Sequence, residues 1–440
     1  MKIMNMKKIF PLIAIFALSG TMLSCTSSDN AVDLNENKDV VNMLPDQVPI
    51  KLTQEQRVFA NDNNGFILNF LKTVNDIDQS GKSFIYSPLS IIYVLSMVND
   101  AATGETEKEL EQILGFHEGG IQAVNEYCKK LIEGLPKTDN GITLNIANAI
   151  FVNKEYTLKS QFQQDMQTYY DAKAEVLDFS SPLTLDHINR WCKEKTNDMI
   201  PTILDNVDPD MMSYLLNAIY FKAGWTSKFD QKNTMKEAFI TKNGKINLPL
   251  MHQNVLINYL KNNTYAAIEM PYGNGMWKLT VMLPEEGKTT DDIISLLSQR
   301  GLYTKTFSDG EGEMLTPYEV DLKLPRFETS SDTNELDIKD GLVGVMQKMG
   351  INLVFNSDLA EIPNMCEYPV YISMMRQKAK IKVNEEGSEA AAVTVGGMKA
   401  NSMLPVEYPK ATFYANRPFG YVISEASSGV ILFVGKFTGE

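Results

Sequence analysis

Apolar residues recur at helical spacing in the first part of the chain and alternate with polar residues toward its end. From Gln54 to Val74 the large apolar side chains lie three or four residues apart, which predicts a first helix. Ser87 followed by Pro88 predicts a helix start, because serine is a good N-cap and proline at the first helical position loses no hydrogen bond. Leu215 to Trp225 is almost continuously apolar, as in a central strand buried on both faces, whereas Val320 to Leu324 alternates. Helices followed by strands predict an α+β domain.

A stretch near the C-terminus breaks this alternation. Up to Val383, apolar residues alternate with lysines, which is the pattern of a strand with one buried face. From Ser388 onward the side chains are small or β-branched, and proline is absent until Pro405, so the backbone can pair as a strand. Its alanines and glycines nevertheless have little apolar surface to bury, so packing in a core would hold the strand only weakly. The pattern predicts a segment that is exposed in one state and inserted into a sheet in another.

The side chains of this stretch differ between its two faces. If the stretch forms a strand, every ionised group between Ser388 and Asn401 lies on one face. The other face is small and uncharged, which suits close burial under a sheet. Taken alone, such a string is also compatible with an Ala/Gly-rich surface linker. The uncharged face comprises Ser388, Ala390, Ala392, Thr394 and Gly396.

Several short strings of the sequence stand in a characteristic order. They are Ser83–Ile91, Asn148–Phe151, Asn217–Trp225, Met251–Gln253, Leu324–Phe327, Glu385–Thr394 and Asn416–Phe419. In content and order they resemble strings of the serpins, the serine-protease-inhibitor family that traps proteases by inserting a cleaved loop, and the string from Glu385 to Thr394 resembles the hinge of that loop. The resemblance covers roughly Leu52 to Phe437 and implies the serpin fold, in which helices pack around a large central, mostly antiparallel sheet and smaller sheets, with an exposed reactive-centre loop at about residues 385–410.

The resemblance implies a suicide inhibitor of serine endopeptidases, and the expectation extends to cysteine endopeptidases. The loop would be cut and inserted as a new central strand, and the target protease would be trapped while still attached. Small inward side chains at the start of the loop are typical of inhibitory members. A non-inhibitory serpin that acts as a binding or chaperone-like protein is the alternative. The implied hinge comprises Glu385, Glu386, Gly387, Ser388, Glu389, Ala390, Ala391, Ala392, Val393 and Thr394.

Further positions match the family regions where the sheet opens. Arg326 matches a basic residue that pairs with the hinge glutamate, here Glu385; a solvated arginine is the alternative. Trp225 is expected near the entry point of the loop, with a plain core aromatic as the alternative. Gln377 stands where many serpins have histidine, so the local hydrogen-bond network is expected to differ. The implied breach and shutter residues are Arg326, Trp225, Ser87, Ser90, Asn217 and Gln377.

The position of the reactive bond is expected from counting along the loop. The family's spacing from Glu385 places it at Asn401–Ser402. The distance from the hinge to Pro418 is longer than usual, so a count from the C-terminal side gives a later bond. A lysine would suit trypsin-like enzymes, and methionine or leucine would suit elastase-like or chymotrypsin-like ones. The alternative positions are Met398, Lys399, Met403 and Leu404.

The sequence lacks the common motifs of an enzyme or a metal site. None of its 3 histidines lies beside a GxSxG elbow, which is absent. HExxH, the EF-hand loop, paired CxxC, GxGxxG and the P-loop are absent as well. His252 is interpreted as a structural histidine. We therefore expect no catalytic residue, no cofactor and no metal, with a surface-exposed hydrolase as the third hypothesis.

The N-terminus has the pattern of an export signal. Lysines precede an apolar run from Ile9 to Leu18, which is too short to span a membrane. Ser24–Cys25 resembles the end of a bacterial lipobox, although Met22 stands where leucine is more usual. We expect a bacterial protein that is lipid-anchored at the outer membrane, the cell surface or the periplasmic side; plain secretion is the alternative. The expected divisions are a lipoprotein-type signal peptide at 1–24, the lipidated Cys25 with a flexible tether at 25–50, and a serpin domain at 51–440.

Composition narrows the range of partners. The chain has 41 Lys and Arg against 55 Asp and Glu, a net charge of −14 that disfavours nucleic acid. Some serpins bind heparin through a basic helix, but the matching region from Ile121 to Leu135 has only Lys129 and Lys130, so no heparin-type polyanion is expected. The cysteines other than Cys25 show no CxxC spacing and predict no disulfide framework. We expect a monomer whose partners are endopeptidases and whose only membrane contact is a lipid anchor.

Overall fold

The helices lie mainly in the first half of the chain. The structure is a computed structural model, and it describes residues 47–78, 80–117, 119–301, 314–388 and 407–440. The predicted first helix is present, and Thr53 and Gln56 form a capping box at its start. Within the described ranges the α-helices are α1 (Gln54–Ile77), α2 (Pro88–Ala101), α3 (Gly104–Leu114), α4 (Gly120–Gly134), α5 (Ser160–Tyr170), α6 (Thr184–Lys195), α7 (Thr290–Arg300) and α8 (Leu342–Lys348).

The strands become frequent after the sixth helix, so the predicted α+β class is confirmed. The predicted central strand at Leu215–Trp225 corresponds to Ser213–Gly224, and all but one of its residues are buried. The strands in the described ranges are β1 (Phe84–Tyr86), β2 (Ile142–Asn153), β3 (Lys173–Leu177), β4 (Ser213–Gly224), β5 (Met235–Thr241), β6 (Gly244–Lys261), β7 (Tyr265–Tyr272), β8 (Trp277–Pro284), β9 (Thr316–Pro325), β10 (Phe327–Asp332), β11 (Met375–Val383), β12 (Gly387–Ser388), β13 (Lys410–Tyr414), β14 (Phe419–Glu425) and β15 (Ile431–Phe437).

Six of these strands form the sheet that matters for function. Its order is β10-β11-β12-β4-β2-β3, and β11 also pairs directly with β4. The pairings β10–β11, β11–β12, β12–β4 and β4–β2 are antiparallel, whereas β11–β4 and β2–β3 are parallel. The sheet is therefore mixed and mostly antiparallel.

The two faces of this sheet belong to different cores. Leu215, Ile219 and Phe221 of β4 belong to the large inner core, which also holds buried residues of α1, α2 and the second sheet. Leu216 and Ala218 point to the other face and pack with residues of α6. Residues on both faces of β4 are buried for this reason, which explains its continuous apolar sequence.

The remaining strands form a second, larger sheet. Its path is β1-β15-β14-β8-β7-β6-β9-β13, with β5 paired to β6. Residues of β7, β8, β14 and β15 close the inner core from this side. In the part of the chain that the structure describes, no helix combines the length and apolar character needed to cross a membrane.

The start of α2 differs from the sequence prediction in one respect. Ser87 occupies the N-cap position and Pro88 begins the helix, as predicted. The Ser87 side chain, however, makes no capping hydrogen bond, because its hydroxyl donates to the carbonyl of Leu432 on β15 at 2.7 Å. The serine therefore ties the helix start to the second sheet.

Candidate functional site

The first residues of the predicted hinge are already part of the six-stranded sheet. Gly387 and Ser388 form β12, which lies between β11 and β4. Ser388 is opposite Val383 on one side and Ala223 on the other, both antiparallel. Gly387 fits because it has no side chain: a Cβ there would lie 2.0 Å from the carbonyl oxygen of Ala223. Of the described hinge residues, Gly387 and Ser388 thus already pair within the sheet.

Farther along the sheet from β12, the strands β11 and β4 are hydrogen-bonded directly to each other. Met375–Lys378 of β11 pairs with Leu215–Ala218 of β4 in parallel. Between that pairing and β12, the stretches Ala379–Lys382 and Ile219–Lys222 are not paired with each other in the described part of the chain. The sheet is therefore parted at one end, where a further strand can enter.

Two carboxylates anchor the chain just before β12. Glu385 is almost fully buried and accepts hydrogen bonds from the Arg326 guanidinium and from Thr234 Oγ1. Burial pushes the pKa of Glu385 upward, but the hydrogen bonds from Arg326 and Thr234 outweigh it and hold this pKa below its ordinary value. Glu386 pairs with Lys228 at 2.7 Å, in a half-exposed position. The Arg326–Glu385 pair is the contact that the sequence resemblance implied.

Trp225 lies at the entry point and binds the hinge backbone. Its amide N–H donates to the carbonyl of Glu386, and its indole Nε1–H donates to the carbonyl of Asn384, both at 2.9 Å. The indole stacks on the ring of Tyr272, with centroids 4.4 Å apart. The Tyr272 hydroxyl is hydrogen-bonded to Ser388 Oγ at 2.6 Å. Trp225 is thus buried, as any core aromatic would be, and it also holds the hinge.

The predicted shutter residues form a second cluster beneath the paired part of β11 and β4. Gln377 Nε2 donates to the carbonyl of Ser87 at 2.8 Å, and the Ser87 amide donates to Gln377 Oε1 at 2.9 Å. The hydroxyls of Ser87 and Ser90 are hydrogen-bonded at 3.1 Å. The glutamine amide can both donate and accept, so it links β11 to the start of α2 in two directions.

Asn217 lies at the same level but is only partly satisfied. Its Nδ2 donates to Asn148 Oδ1 on β2 at 2.8 Å. Both side chains are buried, and among the described residues neither Asn217 Oδ1 nor Asn148 Nδ2 has a hydrogen-bond partner. An unsatisfied buried polar atom costs about 1–3 kcal/mol. The cluster therefore stores free energy that a new neighbour could release.

The rest of the predicted loop lies outside the described residues. This applies to the later hinge positions, to both sides of the expected reactive bond and to the lipidation position. These residues are Glu389, Ala390, Ala391, Ala392, Val393, Thr394, Met398, Lys399, Asn401, Ser402, Met403, Leu404 and Cys25.

Sequence reasoning missed three residues that hold the hinge. Tyr272, Thr234 and Lys228 lie in segments with ordinary strand or turn patterns. Nothing in their local sequence marks them, because each contacts the hinge across more than 100 positions of chain. Only the fold brings them to the entry point.

The candidate site is thus a mixed sheet in which β12 lies between β11 and β4 at one end, while a buried polar cluster lies where β11 and β4 pair directly. A family model described as Serpin (serine protease inhibitor) matches residues 61–439. The chain is 30% identical over 389 residues to Serpin B6 of Pongo abelii, covering 87% of this chain and 99% of that protein. It is 32% identical over 396 residues to Antitrypsin of Bombyx mori, covering 88% and 95%.

The solved structures agree with the sequence comparisons. The structure of Tengpin, a thermophilic serpin in its native state, matches with a TM-score of 0.73 at 26% identity, covering 89% of this chain and 96% of that one. The chain belongs to the serpin family, and it has the serpin fold that the resemblance implied.

Neutralising Glu385 is expected to lower the melting temperature of the uncut protein at neutral pH. Arg326 is half-exposed, so the ion pair contributes about 1 kcal/mol after solvent screening, or about 1 °C in a domain of this size. Because the folded pKa of Glu385 lies below the ordinary 4.5, this contribution is complete above that pH and is lost as the pH falls through the folded value.

Thermal unfolding of Glu385→Gln and wild type at pH 7 and near pH 3 tests this expectation. The difference between them should shrink on acidification, because the unfolded wild-type chain binds a proton at this carboxyl and the folded form then loses the advantage of the ionised group. Glu386→Gln is the matched control, and its effect should be smaller because its pair with Lys228 is more exposed. An equal difference at both pH values would contradict the assigned pair.

Proposed function

We propose that this protein inhibits endopeptidases by conformational trapping. The observation that supports this best is the position of β12, which has begun to enter between β11 and β4 above a pair of strands that can still separate. A target protease would cut the exposed loop and form an acyl-enzyme with it. The freed loop would then continue from β12 down the sheet and carry the attached protease with it.

The register at β12 predicts the neighbours of the inserted strand. Because Ser388 faces Val383 and Ala223, an unbroken antiparallel strand would place Glu389 between Lys382 and Lys222. Those lysines point to the outer face, so Glu389, the only carboxylate of the sequence between Ser388 and Asn401, would meet two opposite charges. In the cleaved form this arrangement favours insertion over a return to solvent.

The same register places Thr394 between Gln377 and Asn217. Thr394 shares its face with Ser388, so its hydroxyl would point to the inner side, toward the unpaired Asn217 Oδ1. Insertion would then satisfy a buried acceptor for which the described residues supply no donor. The shutter thus contributes to the driving force for insertion.

Trapping depends on a competition between insertion and hydrolysis of the acyl-enzyme. A strand that is already started needs no separate nucleation step, because Ser388 holds the register on both sides. The protein itself supplies no group to the chemistry of the bond that is cut. It supplies stored conformational free energy, and we do not expect it to turn over substrates.

Incubation with a panel of serine and cysteine endopeptidases tests this function. We expect complexes with at least one enzyme that survive SDS and boiling, with one equivalent of protease consumed per complex. Mass spectrometry of the released C-terminal fragment would identify the bond cut, with Asn401–Ser402 as the expected site. Cleavage by every enzyme without complex formation would refute the inhibitory function.

The position of the protein in the cell is a separate proposal. The N-terminal pattern supports export and acylation of Cys25, and the divisions at 1–24, 25–50 and 51–440 rest on the same pattern. The acidic net charge supports a protein that needs no heparin-type polyanion. Labelling with a radioactive fatty acid should mark the wild-type protein and not the Cys25→Ser variant. A label on both proteins, or on neither, would contradict acylation of Cys25.

A further inference from the structure

Helix α6 and the segment that follows it cover the outer face of the six-stranded sheet. Residues 196–212, called the strap here, run from the end of α6 to the start of β4. Ile200, Ile203 and Leu204 of the strap are buried in a core cluster with residues of β2, β4 and α6. The fully buried members of that cluster include none from β10 or β11. The strap is therefore fixed by apolar packing to the β2–β4 half of the sheet.

Hydrogen bonds attach the strap to the same half. Asn189 of α6 accepts from the amides of Ile203 and Leu204 and donates to the carbonyl of Leu204. Asn153 of β2 donates its side chain to the carbonyls of Pro209 and Met211. The strap, α6 and β2–β4 thus behave as one packed unit.

The seam between the strap and the β10–β11 half is different. A cavity of about 260 Å³ lies there, lined on one side by residues 199–202 and on the other by residues of β10 and β11. Across the seam, Arg376 of β11 donates to Asp205 of the strap at 2.9 Å. The Arg376 side chain is 6% exposed and is also held by Asp332 of β10 through two hydrogen bonds. One arginine thus joins both strands of this half to the strap.

Insertion of a new strand must stretch this link. A strand placed between β11 and β4 separates them by a further strand spacing of about 4.8 Å. Arg376 lies within the stretch of β11 that pairs directly with β4, so it has to move with β11. Asp332 moves with it, because β10 is paired to β11, whereas Asp205 stays with the packed strap. The Arg376–Asp205 hydrogen bond cannot survive that displacement.

We propose that the Arg376–Asp205 pair is a latch that sets the rate at which the sheet opens. The inference rests on the proposed function, since it concerns the step in which the loop enters the sheet. The latch holds the uncut sheet closed below β12 and is broken in the inserted form. Asp205 is a positioning residue, because it acts on loop entry through Arg376 and the displacement of β11.

The test compares Asp205→Asn with a matched variant of the same strap. Asp210→Asn removes the same charge from an exposed position of the strap. Sheet opening is measured without any protease, as the rate at which the uncut protein takes up a synthetic peptide with the sequence of residues 388–399. We expect Asp205→Asn to take up the peptide about two- to fivefold faster than wild type, the factor expected for one partly exposed ion pair. Asp210→Asn should match wild type.

Two further readouts separate a latch from a general loss of stability. The melting temperature of the loop-cleaved form should be unchanged by Asp205→Asn, because the link is already broken there. The number of inhibitor molecules consumed per protease trapped should fall, since faster insertion wins more often against hydrolysis. If Asp205→Asn takes up peptide no faster than Asp210→Asn, or destabilises the cleaved form equally, the latch is refuted.

The design also distinguishes the latch from the proposed function. If wild type takes up no peptide and gains no stability on cleavage, the inhibitory function fails. If wild type does both while the two variants behave alike, only the latch fails.

Discussion

Cleavage of the loop by a protease is expected to raise the melting temperature of the protein by about 10 °C or more. Residues 389–398 would gain hydrogen bonds to both β11 and β4, at the expense of the short parallel pairing between Met375–Lys378 and Leu215–Ala218. Even at modest net values per hydrogen bond, this amounts to on the order of 10 kcal/mol. At about 1 °C per kcal/mol for a domain of this size, the shift is readily measured.

Differential scanning calorimetry of intact and nicked protein measures this effect. The nicked sample should first be shown to retain both fragments. A nicked form that melts no higher than the intact one would contradict sheet insertion, and it would favour a non-inhibitory binding protein with the same fold.

The substitution Ser388→Arg is expected to turn the inhibitor into a substrate. Ser388 is fully buried, and its hydroxyl is hydrogen-bonded to Tyr272 in the core. An arginine at this position would have to bury its charge unpaired against the Trp225–Tyr272 stack, at about 3 kcal/mol or more. An added barrier of that size slows insertion by about a hundredfold, so hydrolysis of the acyl-enzyme would win.

Gel analysis with a protease that wild type traps provides the measurement. SDS-stable complexes should vanish for Ser388→Arg while the loop is still cut at the same bond. Ser388→Ala is the matched control, since it keeps a small uncharged side chain, and its complexes should persist. The nicked Ser388→Arg protein should also lack the gain in melting temperature. Complexes at wild-type yield in Ser388→Arg would mean that the hinge does not need to enter the sheet.

Local sequence patterns predicted the main elements of the fold well. The helical spacing after Gln54 and the apolar run around Leu215 each correspond to an element within a few residues of the expected bounds. Ser87 shows where such reasoning ends: its position as N-cap was predicted, but its hydroxyl binds Leu432, more than 300 positions away. A capping preference describes a local choice, and a distant carbonyl competes with it only in the folded state.

The candidate site was predicted in outline through the family resemblance. It indicated that Arg326 and Glu385 would meet, and the two residues do form an ion pair. It also indicated a different network at Gln377, whose amide joins Ser87 and β11. Neither resemblance nor pattern pointed to Tyr272 or to Asp205, because their contacts depend on how the strands and the strap pack in the folded protein.

The amino-acid sequence by itself determined that the chain can make a large core, that it carries no common catalytic motif, and that one stretch of small residues can exist in or out of a sheet. Those properties follow from composition, periodicity and side-chain size, which each residue carries wherever it lies. Only the tertiary structure decided that Gly387 and Ser388 pair between β11 and β4, that Asn217 Oδ1 has no donor among the described residues, and that Arg376 spans a seam. Each of these features depends on contacts between residues far apart in the chain. Such contacts set the free-energy difference between the uncut arrangement of the strands and the proposed inserted one.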